Sequence, residues 1–247
     1  MQSFTSLINK LAVKEDLPYP SDWEREFYFE NEISNLVSQL NDASRSGSKP
    51  WGVDAGSSVN QEYAFNVLHF IDSLYCSNLI RGNFHSVQPN SRIKITPSIF
   101  TESGKIKVKY QISFDDKKNL ETKKYDFEEV SKNKIKLVAK IVMTAHSHPK
   151  ISKDGGSYYH TWFSMQDFNF LYSNHQILVV AVVFAGHVWL VCKTNQLKNL
   201  PSYDFVYGVN RFIVSGETEQ AKKYISENNS YNLVFYYGLV KQKMIKV

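Results

Sequence analysis

The sequence predicts a mixed α+β fold, because stretches typical of strands alternate with a few helical stretches in no regular βαβ order. Apolar residues recur with a period of two in several short segments, and with helical spacing in others. Hydrophobic residues make up 43% of the 247 residues and aromatic residues 14%, so the chain can bury a full core. We therefore expect an α+β (mixed α/β) layer structure forming one elaborated domain.

The N-terminal region is predicted to be helical. Apolar residues fall near helical spacing over 22–40, whereas 41–58 is rich in Ser, Gly and Asp and predicts a loop. We accordingly divide the chain into an N-terminal helical extension, residues 1–45, and a main domain, residues 46–247.

Two hairpins are predicted in the middle of the chain. Residues 62–81 are apolar, aromatic and β-branched with a break at Asp72, which indicates two strands, although a helix is an alternative. Residues 105–127 alternate basic or polar with apolar residues and predict a second hairpin turning at 115–119.

The later elements follow from the same two periodicities and from Gly and Pro as turn signals. They are predicted, in chain order, at 134–148 (a strand ended by Pro149), 164–174 (a short helix after the loop 150–162), 177–193 (a buried hairpin turning at Ala185-Gly186), 204–214 (a strand), 217–228 (a helix) and 232–240 (a closing strand).

Charge and cysteine content restrict the class of protein. The 29 basic residues against 24 acidic ones give a net charge of +5 with the signs interspersed, which does not call for a nucleic-acid partner. The two cysteines, Cys76 and Cys192, form no Cys-x-x-Cys pair, which excludes a cysteine-based zinc site and favours a reducing compartment. With no apolar run long enough to span a bilayer and no signal-peptide core, we expect no membrane partner and a cytoplasmic protein, or one exported without a signal peptide.

A candidate metal site lies in the segment Thr-Ala-His-Ser-His-Pro at the end of the predicted strand 134–148. His146 and His148 are two residues apart in an extended chain, so both imidazoles point to the same face. Two imidazoles, one carboxylate and an open position are a usual ligand set of catalytic zinc, and Asp167 is the best candidate for the carboxylate. Alone, a His-x-His pair is more often structural, and Ser164 with Asp167 can equally form a helix capping box.

The His-Ser-His-Pro element followed by Ser-x-x-Asp resembles the signature of the JAMM (JAB/MPN) zinc metalloproteases, in particular bacterial JAB-like members. The match covers residues 144–167, and the predicted helix and apolar hairpin that follow stand in the order expected of that fold. The resemblance implies a JAB/MPN-like, cytidine-deaminase-like mixed sheet flanked by helices, with Zn²⁺ held by His146, His148 and Asp167. The spacer 150–163 is longer than is common in deubiquitinating members, as though the active-site loop were enlarged.

The resemblance also implies the remaining catalytic groups. An upstream glutamate acts as the general base, for which Glu62 is our choice, and Glu121, Glu128 and Glu129 are weaker options. Ser164 would donate a hydrogen bond to the oxyanion. The implied activity is that of a peptidase or isopeptidase acting on a protein or peptide, with a ubiquitin-like protein as one candidate substrate.

Other functions remain alternatives at this point. A JAB-fold binding or scaffold module with a degraded site would be favoured if Glu62 lay far from the histidines, and a delivered toxin effector with this fold is a further possibility. A nucleic-acid deaminase requires a Pro-Cys-x-x-Cys element, which the sequence lacks. A lysine-rich strand at 105–109 would suit a basic groove, yet it is more typical of a protected sheet edge. Tyr158, Tyr159 and Trp162 either line a substrate groove or form a packing cluster.

Overall fold

A ten-stranded mixed sheet organises the chain in the computed structural model, which describes residues 2–12, 17–45, 62–70, 72–82, 92–103, 105–115, 123–129, 139–148, 150–153, 156–159 and 162–247. The α-helices of these ranges are α1 (Phe4–Ala12), α2 (Asn31–Arg45), α3 (Met165–Ser173), α4 (Tyr203–Val214) and α5 (Thr218–Asn228). The strands are β1 (Gln2–Ser3), β2 (Glu26–Tyr28), β3 (Tyr63–Phe70), β4 (Ser73–Cys76), β5 (Ile80–Arg81), β6 (Arg92–Glu102), β7 (Lys105–Asp115), β8 (Lys123–Glu129), β9 (Lys140–Ser147), β10 (Lys150–Lys153), β11 (Gly156–Tyr159), β12 (Val179–Phe184), β13 (His187–Cys192), β14 (Val234–Leu239) and β15 (Met244–Lys246).

The main sheet runs in the order β1-β2-β15-β14-β13-β12-β9-β3-β4, and β5 also pairs with β3. β9 is an inner strand of this sheet, parallel to β12 on one side and antiparallel to β3 on the other. Two smaller sheets are separate from it, β6-β7-β8 and the hairpin β10-β11. The chain therefore has the mixed α+β architecture that the sequence predicts.

Helices cover both faces of the main sheet. The N-terminal core, formed by α1, α2 and one sheet face, includes Ala181, whereas the C-terminal core, formed by α3, α4, α5 and the other face, includes Val182. Successive residues of β12 thus enter opposite cores, and each of its six residues is buried. Burial on both faces explains why this segment is an unbroken apolar run rather than an alternating one.

The β6-β7-β8 sheet has a core of its own against the end of the main sheet. Tyr110, Ile112 and Phe114 of β7 pack there with Leu68 and Phe70 of β3. The predicted hairpin at 105–127 is confirmed as β7 and β8, with its turn residues 116–119 outside the described residues. β6, which pairs with β7 along its whole length, was not predicted.

The predicted strand at 204–214 is wrong, because this segment forms helix α4. The buried residues of this helix are Phe205, Val206 and Val209. Val206 and Val209 follow Phe205 by one and four positions, which places all three on one helix face. The Ser202 side chain caps the helix by accepting a hydrogen bond from the Phe205 N–H at 3.2 Å. β-branched and aromatic residues suggested a strand, but tertiary packing overrode that preference.

The predicted N-terminal helix is correct only in its second half. It begins at Asn31 rather than at residue 22, and it continues to Arg45, into the segment predicted as a loop. Residues 26–28 instead form β2, where Phe27 is fully buried and pairs with Met244 of β15. The rest of the predicted loop, residues 46–58, lies outside the described residues.

The other elements agree with the sequence, with two exceptions. The hairpin at 62–81 is confirmed as β3 and β4, which excludes the helical alternative, and Asp72 turns with a φ of 56°. The hairpin at 177–193 turns at Ala185 and Gly186 as predicted. The strand at 134–148 is confirmed from Lys140 onward, its first residues lying outside the described ranges, and the helices at 164–174 and 217–228 are α3 and α5.

The two exceptions concern a loop and the last strand. The predicted loop 150–162 contains the hairpin β10-β11, and the strand predicted to close the chain, β14, is followed by β15. None of the described helices is long and apolar enough to cross a membrane.

Leu190→Ala should lower the free energy of unfolding by about 2–5 kcal/mol, because Leu190 has no exposed surface in the N-terminal core. Leu239→Ala is the matched control on the neighbouring strand, where the leucine is 38% exposed, and it should cost under about 1 kcal/mol. Urea denaturation monitored by tryptophan fluorescence measures both, and equal losses would contradict the packing described.

Candidate metal centre

The end of β9 brings His146 and His148 to the face of the sheet that carries the C-terminal core. His146 lies opposite Ala64 of β3 and Val182 of β12 in the sheet register. His148 directly follows β9, and its N–H donates to the Val183 carbonyl at 3.2 Å. Both histidines are buried, so the strand fixes the position of both rings with little access of water.

Asp167 reaches the histidines from the first turn of α3. Ser164 is the N-cap of this helix, and its Oγ accepts a hydrogen bond from the Asp167 N–H at 3.3 Å. The Asp167 carboxylate in turn accepts from the Ser164 N–H at 2.7 Å and from the Ser164 hydroxyl at 2.8 Å. The predicted capping box is therefore present, and the same Asp167 carboxylate also contacts the two histidines.

The three predicted ligands converge. Nε2 of His146 lies 3.0 Å from Nε2 of His148 and 3.1 Å from Oδ1 of Asp167, and His148 Nε2 lies 3.9 Å from Oδ2 of Asp167. Each side chain offers one ligand atom, and these atoms all lie within 4.8 Å of one another. This group can hold a metal ion.

Two of the distances between the donor atoms are close to those between neighbouring ligands of one metal ion. Metal–ligand bonds of about 2.0–2.1 Å place two ligand atoms of a tetrahedron about 3.3 Å apart. Nε2 of His146 lies just inside that distance from Nε2 of His148, at 3.0 Å, and from Oδ1 of Asp167, at 3.1 Å. The 3.9 Å separation of His148 Nε2 is from the other carboxylate oxygen, Oδ2, which accepts the hydrogen bonds from Ser164. The three side chains would thus supply two imidazoles and one carboxylate oxygen to a metal ion.

The electrostatics of the site favour positive charge between these groups. Burial raises the pKa of the Asp167 carboxyl, but the two imidazoles and the Ser164 N–H outweigh it and hold that pKa well below its usual range. Burial likewise lowers the pKa of His146, yet the carboxylates of Asp167 and Glu62 raise it above its ordinary value. Asp167 is therefore ionised, as a metal ligand must be, and a proton or a metal ion is stabilised beside it.

Glu62 lies close enough to His146 for its charge to raise the pKa of that imidazole. It stands two residues before Ala64, the partner of His146 across the β3-β9 ladder, so its side chain points to the same sheet face as His146. The position of the other candidate bases relative to the histidines is not described, because residue 121 and the side chains of Glu128 and Glu129 lie outside the described part of the chain.

The remaining histidines and aromatic residues do not join the site where they are described. His69 contacts Asn9, and His187 contacts Tyr237 with its Nδ1 2.7 Å from the phenol oxygen. Trp162 is 1% exposed and packs among aromatic rings of the C-terminal core, which favours the packing cluster over the groove. Tyr158 and Tyr159 lie in β11, but their side chains, and residues 85 and 160, lie outside the described residues.

Two buried polar contacts beside the metal ligands were not predicted. The Thr144 hydroxyl donates to the Asn66 side-chain oxygen at 2.9 Å, one row below His146 and Ala64. Ser147 is fully buried, and its Oγ accepts a hydrogen bond from the Tyr63 N–H at 3.1 Å. The sequence does hold a signal for Ser147. In a strand, a residue between two histidines that share a face must point to the opposite face.

The purified protein should contain about one divalent metal ion per chain, and His146→Ala should lose it, because two remaining ligands hold such an ion poorly. Elemental analysis after gel filtration measures the ratio. His175→Ala is the control, since it removes an exposed imidazole outside the site and should leave the metal content unchanged. Equal metal content in all three proteins would rule out this centre.

A scan against protein-family models finds no match for this chain, and searches of curated proteins and of solved structures find none either. Function is therefore inferred from the motif and from the geometry of its side chains.

Proposed function

We propose that this protein is a zinc-dependent peptidase or isopeptidase with a JAMM-type active site on a JAB/MPN-like fold. One observation carries the proposal: two buried imidazoles and an ionised carboxylate meet within 4.8 Å, and Glu62 is near enough for its charge to raise the pKa of His146. The motif His-Ser-His-Pro with Ser-x-x-Asp supplies the two imidazoles and the first carboxylate in the order of that family.

Zinc is the metal that suits this donor set best. Imidazole nitrogen and carboxylate oxygen together in a four-coordinate site favour Zn²⁺ over Mg²⁺ or Ca²⁺, which prefer six or more oxygen ligands. Held by His146, His148 and Asp167, zinc would supply Lewis acidity and would lower the pKa of a bound water molecule from about 15.7 to roughly 7.

Glu62 is the candidate general base. Its carboxylate lies on the face of the metal ligands and near enough to influence His146, yet it is not one of the three convergent donors. A carboxylate in that position can accept a proton from the attacking water and deliver it to the leaving nitrogen. Amide and isopeptide bonds need such a proton donor, because an amide nitrogen leaves as a neutral amine.

Ser164 has two possible contributions. Its hydroxyl donates to Asp167 and so orients a metal ligand, and the same hydroxyl is the candidate donor to the oxyanion of the substrate. A serine has only one O–H, so it serves one acceptor at a time. Donation to an oxyanion therefore requires the hydroxyl to rotate away from Asp167.

The proximity of Glu62 to His146 counts against a degraded binding module, for which no general base is needed. The activity is tested with a mixture of peptides from digested, denatured proteins and with a ubiquitin-like protein joined by an isopeptide bond to a lysine side chain. Mass spectrometry reads out the cleaved bonds. Zinc-loaded protein should cleave one of these substrates and chelator-treated protein should not; failure on all of them would contradict the proposal.

Glu62→Gln should lower kcat by about 10²–10⁴-fold, because the amide cannot accept the proton. The zinc content should stay at the wild-type value, since Glu62 is not a ligand. Asp167→Ala is the contrasting variant and should lose both zinc and turnover. Full activity of Glu62→Gln would eliminate Glu62 as the base.

Ser164→Ala should reduce kcat by about 10²-fold if the hydroxyl serves the oxyanion. It should also lower the free energy of unfolding by about 1 kcal/mol through loss of the cap. Ser202→Ala is the matched control, because it removes the N-cap of α4, outside the site, and should have only the second effect. If both variants keep wild-type kcat, Ser164 is a helix cap only.

A further inference from the structure

The hydrogen bonds at the start of β3 converge on one peptide unit, the one that joins Glu62 to Tyr63. The register of β3 with β9 is recorded from Ala64 opposite His146 onward. Just before it, the Tyr63 N–H donates to the Ser147 hydroxyl oxygen at 3.1 Å. The contact at this point of the sheet is thus made by a side chain.

The other end of the same peptide unit is also held. The Glu62 carbonyl accepts a hydrogen bond from the Gly82 N–H at 2.7 Å, just after β5. A trans peptide is planar, with its C=O and N–H pointing in opposite directions. Hydrogen bonds at both ends therefore fix the orientation of the plane, and with it the position of the Glu62 Cα, which lies in that plane and carries the side chain.

We propose that Ser147 is a positioning residue for Glu62. It stands between the two metal-binding histidines, so the segment that supplies the ligands also sets the place of the base. Ser147 is fully buried and points away from the face of the histidines, so it touches neither the metal centre nor a substrate bound there. The inference rests on the proposed function, in which Glu62 moves the proton.

Ser77, which follows β4, offers a matched control because its hydroxyl contacts the same strand, β3. Ser77 is 1% exposed, and its Oγ accepts the Asn66 N–H of β3 at 2.9 Å. Ser77→Ala and Ser147→Ala each remove a buried hydroxyl that satisfies a backbone N–H of β3. They differ in the N–H group that is affected: the Tyr63 N–H, which contacts Ser147, belongs to the peptide unit of Glu62, and the Asn66 N–H, which contacts Ser77, does not.

The first measurement needs no bound zinc. Amide hydrogen exchange of the chelator-treated protein, followed by NMR, should show faster exchange of the Tyr63 N–H in Ser147→Ala and of the Asn66 N–H in Ser77→Ala. Protection of the Tyr63 N–H equal to wild type in Ser147→Ala would overturn the proposal, since the hydroxyl would then not hold that peptide.

The second measurement is turnover of the zinc-loaded variants on the cleaved substrate. Ser147→Ala should keep its zinc and its KM and lose kcat by about 10–100-fold, as expected when a catalytic group is displaced by about an ångström. Ser77→Ala should keep kcat within about twofold, because it leaves the Glu62 peptide in place. An equal loss of kcat in both variants would reveal a general structural effect and overturn the proposal.

A double variant separates this inference from the proposed function. In a Glu62→Gln background, Ser147→Ala should change kcat by less than about twofold, because the group it positions is already inactive. If Glu62→Gln abolishes turnover while Ser147→Ala leaves it unchanged, the base assignment stands and only the role of Ser147 falls. If the wild type cleaves nothing, the proposed function falls, whatever the exchange data show.

Should Ser147→Ala fail to fold, Gly82→Pro carries the same test. It removes the N–H that holds the other end of the peptide unit, at a half-exposed position after β5. It should lower kcat with unchanged KM and zinc content, and wild-type kcat in this variant would overturn the proposal.

Discussion

The contact between Asp167 and the two histidines is the interaction on which the site depends. A carboxylate removed from water is costly unless it is paired, and breaking such a pair costs about 3–5 kcal/mol. Here the imidazoles of His146 and His148 and the hydrogen bonds from Ser164 provide the compensation. Because these groups come from β9 and from the start of α3, their attraction also fixes where the helix begins on the sheet.

The site lies beside an apolar core, which strengthens every charge interaction within it. Val182 and Trp189, in the same row of the sheet as His146, are almost fully buried, and Trp162 packs against Trp189. Water that would screen the charges is largely excluded there, so the effective dielectric constant is lower than at the surface.

The register of β3 against β9 places the candidate base relative to the metal ligands. Glu62 and His146 share a sheet face because their strands pair with Ala64 opposite His146. A slip by one residue would send the Glu62 side chain to the opposite face, into the N-terminal core. The buried Thr144–Asn66 pair one row below would be broken by the same slip, so this polar contact helps to specify the register.

The sequence by itself identified the three residues of the candidate metal centre and most of the elements, because these depend largely on local periodicity. His146 and His148 share a face in any extended strand, and the capping box of Ser164 and Asp167 is a contact between neighbours in the chain. Even so, the local pattern misassigned α4, whose apolar residues suit either a strand or a helix until a partner face exists.

Tertiary structure decided what depends on residues far apart in the chain. It brought Asp167 to the histidines, placed Glu62 opposite them across the ladder, and paired β2, near the start of the chain, with β15, near its end. It also gave Ser147 its contact with Tyr63, 84 positions away. Strand pairing and register depend on long-range hydrogen bonds and on which faces can be buried. The spacing of residues within a single segment therefore predicts neither the partner of a strand nor its register.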